Sequence, residues 1–226
     1  MSAGQALFLV GGRGSRLGGL TAATPKPLLP VAGRPFIEHL LDKAVDEGFD
    51  DLILLAGYRH EAVDAYAGVW RGARVRVSVE PEPLDTGGAI AHALEMLDDQ
   101  FLVVNGDTWF DFNWAQLTLE AGERAVIAAR RVAPADRYET INLDGRRVIV
   151  IRPRANLAEG LISGGVYRLR RDVFAAGAGR LSLESEVFPS LCAEGLLGAV
   201  VMQGAFVDIG VPESLVSAEG VVAPRP

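Results

Sequence analysis

The chain has 226 residues, long enough for one substantial core but short for two full domains, and its 49% apolar and 23% charged residues fit a globular fold. A formal charge of -7 argues against extended contact with nucleic acid, which depends on clustered Lys and Arg neutralising many phosphates. The single Cys192 permits neither an internal disulfide nor a cysteine-based zinc cage, the Met1 end has no basic segment leading into an apolar run, and no apolar stretch approaches the ~20 residues that span a bilayer, so a reducing, cytoplasmic setting without membrane contact is expected.

Ala6 to Val10 is a short apolar run closed by Gly11 and Gly12, the pattern of a buried strand ending in a tight loop. From Pro35 to Glu47, Ile37, Leu40, Leu41, Ala44 and Val45 fall on one helical face, and Gly48 stops the helix. Asp51 to Ala56 reads as a second buried strand, followed by a helical stretch near Arg59, an alternating strand Val75 to Val79 and a helix Thr86 to Leu97. Phe101 to Val104 is another apolar strand, terminated by Asn105-Gly106-Asp107. Beyond it, Ala125 to Arg131, Thr140 to Leu143, Arg147 to Ile151 and Gly164 to Leu169 look like strands joined by turns such as Asp144-Gly145. Alternating strands and helices predict an α/β fold: a mixed, mostly parallel central sheet with helices on both faces, both halves sharing the sheet, and ligands beyond the carboxyl ends of the strands.

The run Val10 to Leu17 leaves the first strand with glycines at 11, 12 and 14, whose freed amides can cradle an anion while Arg16 adds charge. The glycine spacing is not that of a dinucleotide fingerprint, and no Gly-Lys-Ser/Thr follows as in a P-loop. Lys26 stands between Pro25 and Pro27, which fix the local backbone and so give the ammonium a direction. Together these features favour a triphosphate; each alone is also compatible with an ordinary loop. Asp107 closes a buried strand, and Asp208 ends the apolar run Phe206-Val207. Two such acids suit Mg²⁺, which takes one or two carboxylates beside water and phosphate oxygens; the competing readings are a turn acid at Asp107 and a helix cap at Asp208. No role is read for His39, His60 or His92.

At these residues the chain resembles the sugar-1-phosphate nucleotidyltransferases, whose signature is similar to Leu9 to Leu17 followed by Pro25-Lys26-Pro27. Later phrases, Asp136-Arg137-Tyr138, Gly160 to Tyr167, Ser182-Leu183-Glu184 and Phe206 to Glu213, are similar above all to the D-glycero-α-D-manno-heptose 1-phosphate guanylyltransferase branch; the muramate 1-phosphate uridylyltransferase branch shares Thr86-Gly87-Gly88 and Asn105-Gly106-Asp107. The resemblance implies one three-layer, Rossmann-like domain over residues 1–226, with a nucleotide-binding half at 1–115 and a sugar-phosphate-binding half at 116–226. It implies nucleotide contacts at Leu9, Gly11, Gly12, Gly14, Ser15, Gly87 and Gly88, and triphosphate stabilisation by Arg16 and Lys26, which with Asp107 form the catalytic set. It also implies a shared Mg²⁺ on Asp107 and Asp208, and sugar-phosphate contacts at Asn105, Glu139, Arg154, Gly165 and Glu184.

The expected partners are a nucleoside triphosphate and a sugar 1-phosphate, joined with release of pyrophosphate by a monomer or small homo-oligomer. GTP with a heptose or mannose-type 1-phosphate is the first expectation, and UTP or CTP with another sugar phosphate such as N-acetylmuramate 1-phosphate the second. Three departures fall on the sugar side: Glu139 where the family usually has glycine, Pro153-Arg154 where it has Glu-Lys, and Ser163 where it has asparagine. They leave open a regulator that binds a nucleotide sugar without turnover.

Overall fold

The computed structural model describes residues 4–12, 14, 21, 24–177 and 179–222. Its strands in chain order are β1 (Gly4–Leu9), β2 (Pro30–Val31), β3 (Arg34–Pro35), β4 (Phe49–Ala56), β5 (Gly68–Trp70), β6 (Ala73–Val79) and β7 (Gln100–Asn105), then β8 (Thr108–Phe110), β9 (Ala125–Val132), β10 (Thr140–Asp144), β11 (Arg147–Arg152), β12 (Gly160–Arg170), β13 (Leu197–Val201) and β14 (Phe206–Asp208). The α-helices are α1 (Phe36–Asp46), α2 (Glu61–Asp64), α3 (Asp85–His92), α4 (Phe188–Glu194) and α5 (Pro212–Val221).

Ten strands form one sheet in the order β10-β11-β13-β9-β12-β7-β1-β4-β6-β5. The run β7-β1-β4-β6 is parallel throughout. β12 lies antiparallel between β7 and β9, and β13 runs parallel to β9. Both halves of the chain thus enter the same sheet, as their strand patterns predict.

Successive side chains along the central strands go to opposite faces. Phe8, Leu54 and Val104 join one buried cluster, whereas Leu7, Ile53 and Val103 join the other. Strands covered on both faces read as continuous apolar runs, which is why these were recognisable in the sequence. The first face is covered by α1 through Phe36, Ile37, Leu40 and Leu41, each burial contributing ~1.5–3 kcal/mol. The second is covered by α3 and α4 through Ile90, Phe188 and Leu191. Among the described residues no helix is long and apolar enough to cross a membrane.

Two predicted helices are shorter than their patterns suggested. Near Arg59 there is only the one-turn α2. The stretch Thr86 to Leu97 divides into α3 and a separate 3₁₀ turn, Leu94–Met96. The buried Gln5 amide brings the chain down onto β7 at that point: it donates to the Met96 carbonyl at 3.0 Å and accepts from the Asp98 N–H at 3.0 Å. Strand β12 is longer than predicted because Gly160 to Ser163 precede an irregularity between Ser163 and Tyr167, where Gly165 takes a φ of 73°.

On α1, the buried Lys43 points its ammonium between Trp109 and Trp114, 5.6 and 5.1 Å from the ring centroids. Its charge is matched by Glu47 and by Asp111 at 3.3 Å, and Glu47 also accepts from the Trp114 N–H. A buried cation is tolerable only with such partners. The cluster fixes the segment after β8 against α1, and β8 pairs with β14, the strand that carries Asp208.

Candidate active site

Strands β1, β4, β6 and β7 run in one direction and end at Leu9, Ala56, Val79 and Asn105. A cavity of about 780 Å³ opens over these carboxyl ends, where helices and sheet leave a crevice. Its lining includes Leu9, Gly11, Gly12 and Gly14 after β1, Gly57 and Tyr58 after β4, Glu80 and Glu82 after β6, and Asn105 and Asp107 at the end of β7, with Lys26, Thr86 and Gly210 beside them. A second cavity of about 440 Å³ is lined by Asp136, Arg137, Tyr138, Arg154, Asp208 and Val211.

Lys26 lines the first cavity and approaches Asp208, which lines the second. It opens a 3₁₀ turn, Lys26–Leu28, anchored by the Leu28 N–H to the Pro25 carbonyl at 2.9 Å, and its ammonium lies 2.5 Å from Asp107 Oδ2 and 3.9 Å from Asp208 Oδ1. Asp208 reaches Asp107 because β14 pairs antiparallel with β8, setting Asp208 opposite Thr108. The Thr108 hydroxyl donates to Asp107 at 3.1 Å, and the Gly210 N–H donates to Asp208 at 2.7 Å. Burial raises the pKa of the Asp208 carboxyl, and the neighbouring Asp107 charge raises it further, against the opposing pull of Lys26 and Arg137. Glycine at 210 keeps this place open, since a Cβ there would come within 2.7 Å of Asp208 and 3.2 Å of the Lys26 ammonium.

Asn105, Glu184 and Tyr167 gather beside the first cavity. Asn105 Oδ1 is buried with no hydrogen-bond partner among the described residues. Glu184 accepts from the Thr86 hydroxyl at 2.8 Å, and burial raises its carboxyl above the usual range. The buried Tyr167 phenol, hydrogen-bonded with Ser163 at 3.1 Å, is held protonated first by desolvation and next by the Glu184 charge. Ser163, standing at the customary asparagine position, therefore supports the β12 irregularity by also accepting from the Gly165 N–H at 3.2 Å.

Several predicted site residues are placed differently. Ser15 and Arg16 lie outside the described residues. Gly87 and Gly88 are buried packing positions that do not line the cavity: a Cβ on Gly87 would meet Leu181 at 3.1 Å, one on Gly88 the Gly179 carbonyl at 2.4 Å. Gly165 takes a positive φ and passes close to Thr108. Glu139 is exposed and lines neither cavity, so it does not fill the second one. Arg154 does line that cavity.

At the start of α3 no side chain caps the helix. The Thr86 hydroxyl instead bridges to Glu184 and the Leu183 N–H, while Asp85 adopts a left-handed φ of 64°. A side chain there costs about 1 kcal/mol that glycine avoids. Asp85→Gly is expected to raise Tm by ~2–4 °C, measured by thermal unfolding; a lowered Tm would show that Asp85 contacts outweigh the strain.

Sequence reading missed Glu80, Gly210, Arg137 and Tyr138 as site-lining residues. Glu80 has no flanking signature beyond the Glu-Pro repeat after β6. The meeting of Arg137 and Tyr138 with Asp208 is a long-range contact that no local spacing reveals.

The geometry has counterparts among known proteins. A nucleotidyl transferase family model matches residues 5–223. D-glycero-alpha-D-manno-heptose 1-phosphate guanylyltransferase of Campylobacter jejuni is 33% identical over 212 residues, covering 92% of this chain and 96% of its own. Mannose-1-phosphate guanylyltransferase catalytic subunit beta of Drosophila melanogaster is 32% identical over 225 residues, 94% of this chain but 61% of that longer one. The crystal structure of HddC from Yersinia pseudotuberculosis complexed with GMP-PN superposes with a TM-score of 0.83 at 28% identity, covering 96% of this chain and 98% of that one. The match over nearly the whole sequence, with a Rossmann-like α/β sheet and its crevice, places this chain in the nucleotidyl transferase family, as an enzyme of that class.

Proposed function

We propose that the protein transfers a guanylyl group from GTP to a heptose- or mannose-type sugar 1-phosphate, forming a nucleotide sugar and pyrophosphate. The observation that carries this reading is the Lys26, Asp107, Asp208 cluster joining two cavities, one at the glycine loop and one at a pair of arginines. Residues 1–115 would hold the nucleotide and 116–226 most of the sugar phosphate.

The carboxylate pair fits Mg²⁺. Asp107 and Asp208 share one ammonium, Asp208 is driven toward protonation by burial and by Asp107, and Gly210 leaves room beside both. Among the described residues there is no group of three or more His, Cys, Asp or Glu side chains that could hold a metal by themselves, so substrate oxygens and water would complete the shell. When bound, the ion offsets triphosphate charge and polarises the phosphoryl oxygens. Lys26 and Arg16 then hold the triphosphate on the glycine-loop side, and Arg137 and Arg154 hold the sugar phosphate on the other. The sugar-phosphate oxygen, already anionic, attacks the α-phosphorus in line and expels pyrophosphate, so no side chain need act as nucleophile or base. Asn105 and Glu184, near Tyr167, are suited to sugar hydroxyls.

A matrix of nucleoside triphosphates against sugar 1-phosphates, read by pyrophosphate release, tests the assignment. GTP with a heptose or mannose 1-phosphate should be turned over; exclusive use of UTP or CTP, for example with N-acetylmuramate 1-phosphate, would replace it, and no release with any pair would favour a binding protein. Within the active pair, Arg154→Ala should raise the sugar-phosphate KM by tenfold or more, ~1.5–3 kcal/mol, and lower kcat, while Arg154→Lys should recover only part because one ammonium lacks the bidentate fork. Unchanged sugar-phosphate kinetics would place Arg154 at the rim.

A further inference from the structure

Strand β9 carries Arg130, half-buried, with its guanidinium 4.2 Å from the ring centroid of Phe206 and 5.8 Å from that of Phe110. Among the described residues it makes no ion pair, and no carbonyl or hydroxyl accepts from it. Arg34, Arg76 and Arg146, also half-buried, are matched by Asp42, Asp51 and Glu123. Taking a guanidinium out of water without a partner is unfavourable, and burial lowers the pKa of Arg130. An apolar side chain would pack against the two rings without that cost. The charge itself therefore calls for an explanation.

The neighbours of Arg130 lead to the second cavity. Phe206 stands two residues before Asp208 on β14, so both side chains leave the same face of that strand. Burial and the Asp208 charge raise the pKa of the Tyr138 phenol while Arg137 and Arg130 oppose them, so Tyr138 stays neutral and cancels none of the Arg130 charge. Asp208 and Tyr138 line the cavity, whereas Arg130 does not. The charged side chains that do line it are Asp136 and Asp208 against Arg137 and Arg154, which sum to zero. Lys26 adds no excess, being shared by Asp107 and Asp208. The lining alone thus offers a phosphate dianion no net attraction. Arg130 tips the balance to positive from a half-buried place, where water and salt screen a charge less than at the surface.

We infer that Arg130, without touching the substrate, supplies the excess positive charge by which the second cavity holds an anionic acceptor; this rests on the guanylyl-transfer reading above. It is a specificity-determining residue that differs in kind from Arg154. Its contribution is charge at a distance, so any cation at this place should serve.

The test measures kcat and both KM values with GTP and the sugar 1-phosphate in wild type, Arg130→Met and Arg130→Lys, with thermal unfolding to check the fold. Arg130→Met keeps an apolar chain against Phe206 but loses the charge. It should raise the sugar-phosphate KM about tenfold or more and leave the GTP KM within ~twofold of wild type. Arg130→Lys should return the sugar-phosphate KM to within ~threefold of wild type, because a point charge suffices here, unlike at Arg154. A packing role would reverse the order, with Met closer to wild type than Lys.

If Arg130→Met keeps the wild-type sugar-phosphate KM, or Arg130→Lys is as poor as Arg130→Met, the inference is overturned and guanylyl transfer stands. A joint rise in both KM values would make Arg130 a brace for Asp208 through Phe206, and overturns it as well. If wild type turns over no sugar 1-phosphate with GTP, the function itself is wrong and the inference falls with it. Should Arg130→Met not fold, Arg130→Gln must show the same split between the two substrates; its absence there also overturns the assignment.

Discussion

Asp107→Asn is expected to lower kcat roughly a thousandfold or more, ~4 kcal/mol at the transition state, with the fold intact. The substitution retains an oxygen that can accept from Thr108, and the β8–β14 ladder depends on backbone bonds, so unfolding should be little affected. What it removes is a charge shared with Lys26 and pressed against Asp208. With Asp107 neutral, one of the two causes that raise the Asp208 pKa disappears, and that carboxyl should titrate lower than in the wild type; carboxyl NMR would detect the change. Excess chelator should abolish wild-type turnover and added Mg²⁺ restore it. Full activity of the variant, or of the chelated enzyme, would remove the metal from the proposal.

Lys26→Ala should reduce kcat/KM for the triphosphate about 30-fold or more, corresponding to ~2 kcal/mol for a charge-assisted contact, while the sugar-phosphate KM changes much less. The asymmetry follows from position, because Lys26 lines the glycine-loop cavity and Arg154 the other. Lys26→Arg should recover only partly, since the narrow place beside Gly210 suits a compact ammonium better than a planar guanidinium. Equal effects on both substrates would instead mean that Lys26 serves mainly to hold Asp107 and Asp208 together.

Much of this site was legible because its parts are local. A buried parallel strand reads as an apolar run, and the first residues after it fall at the crevice, so Gly11, Gly12, Gly14 and Asp107 could be named from one stretch each. Asp208 was named from a short apolar run, although its meeting with Asp107 depends on the β8–β14 pairing. A glycine pair at a helix start signals close approach without saying to what; at Gly87 and Gly88 the described neighbours include Gly179 and Leu181. Helices α4 and α5 are hard to read from the sequence because their apolar residues are too few and too evenly mixed with small ones to set a period. Lys43 on α1 could not be anticipated either, because its ring and carboxylate partners at Trp109, Asp111 and Trp114 come from distant sequence.

The ribbon of β8 and β14 has a bearing on how such an enzyme can change. Asp107 and Asp208 are brought together by three residue pairs, Phe206 with Phe110, Val207 with Trp109 and Asp208 with Thr108, and by the Ile209 N–H donating to the Asp107 carbonyl at 2.9 Å. Nothing in that short ladder depends on the length of chain connecting its two strands, which includes β9 to β13 and the arginines of the second cavity. Insertions and substitutions in the connection can reshape the proposed acceptor pocket while the spacing of the two acids is conserved by main-chain pairing. A slip of one residue, by contrast, would turn Asp208 to the opposite face of the ribbon. Acceptor preference is thus free to drift in this architecture under a far looser constraint than the register of six residues.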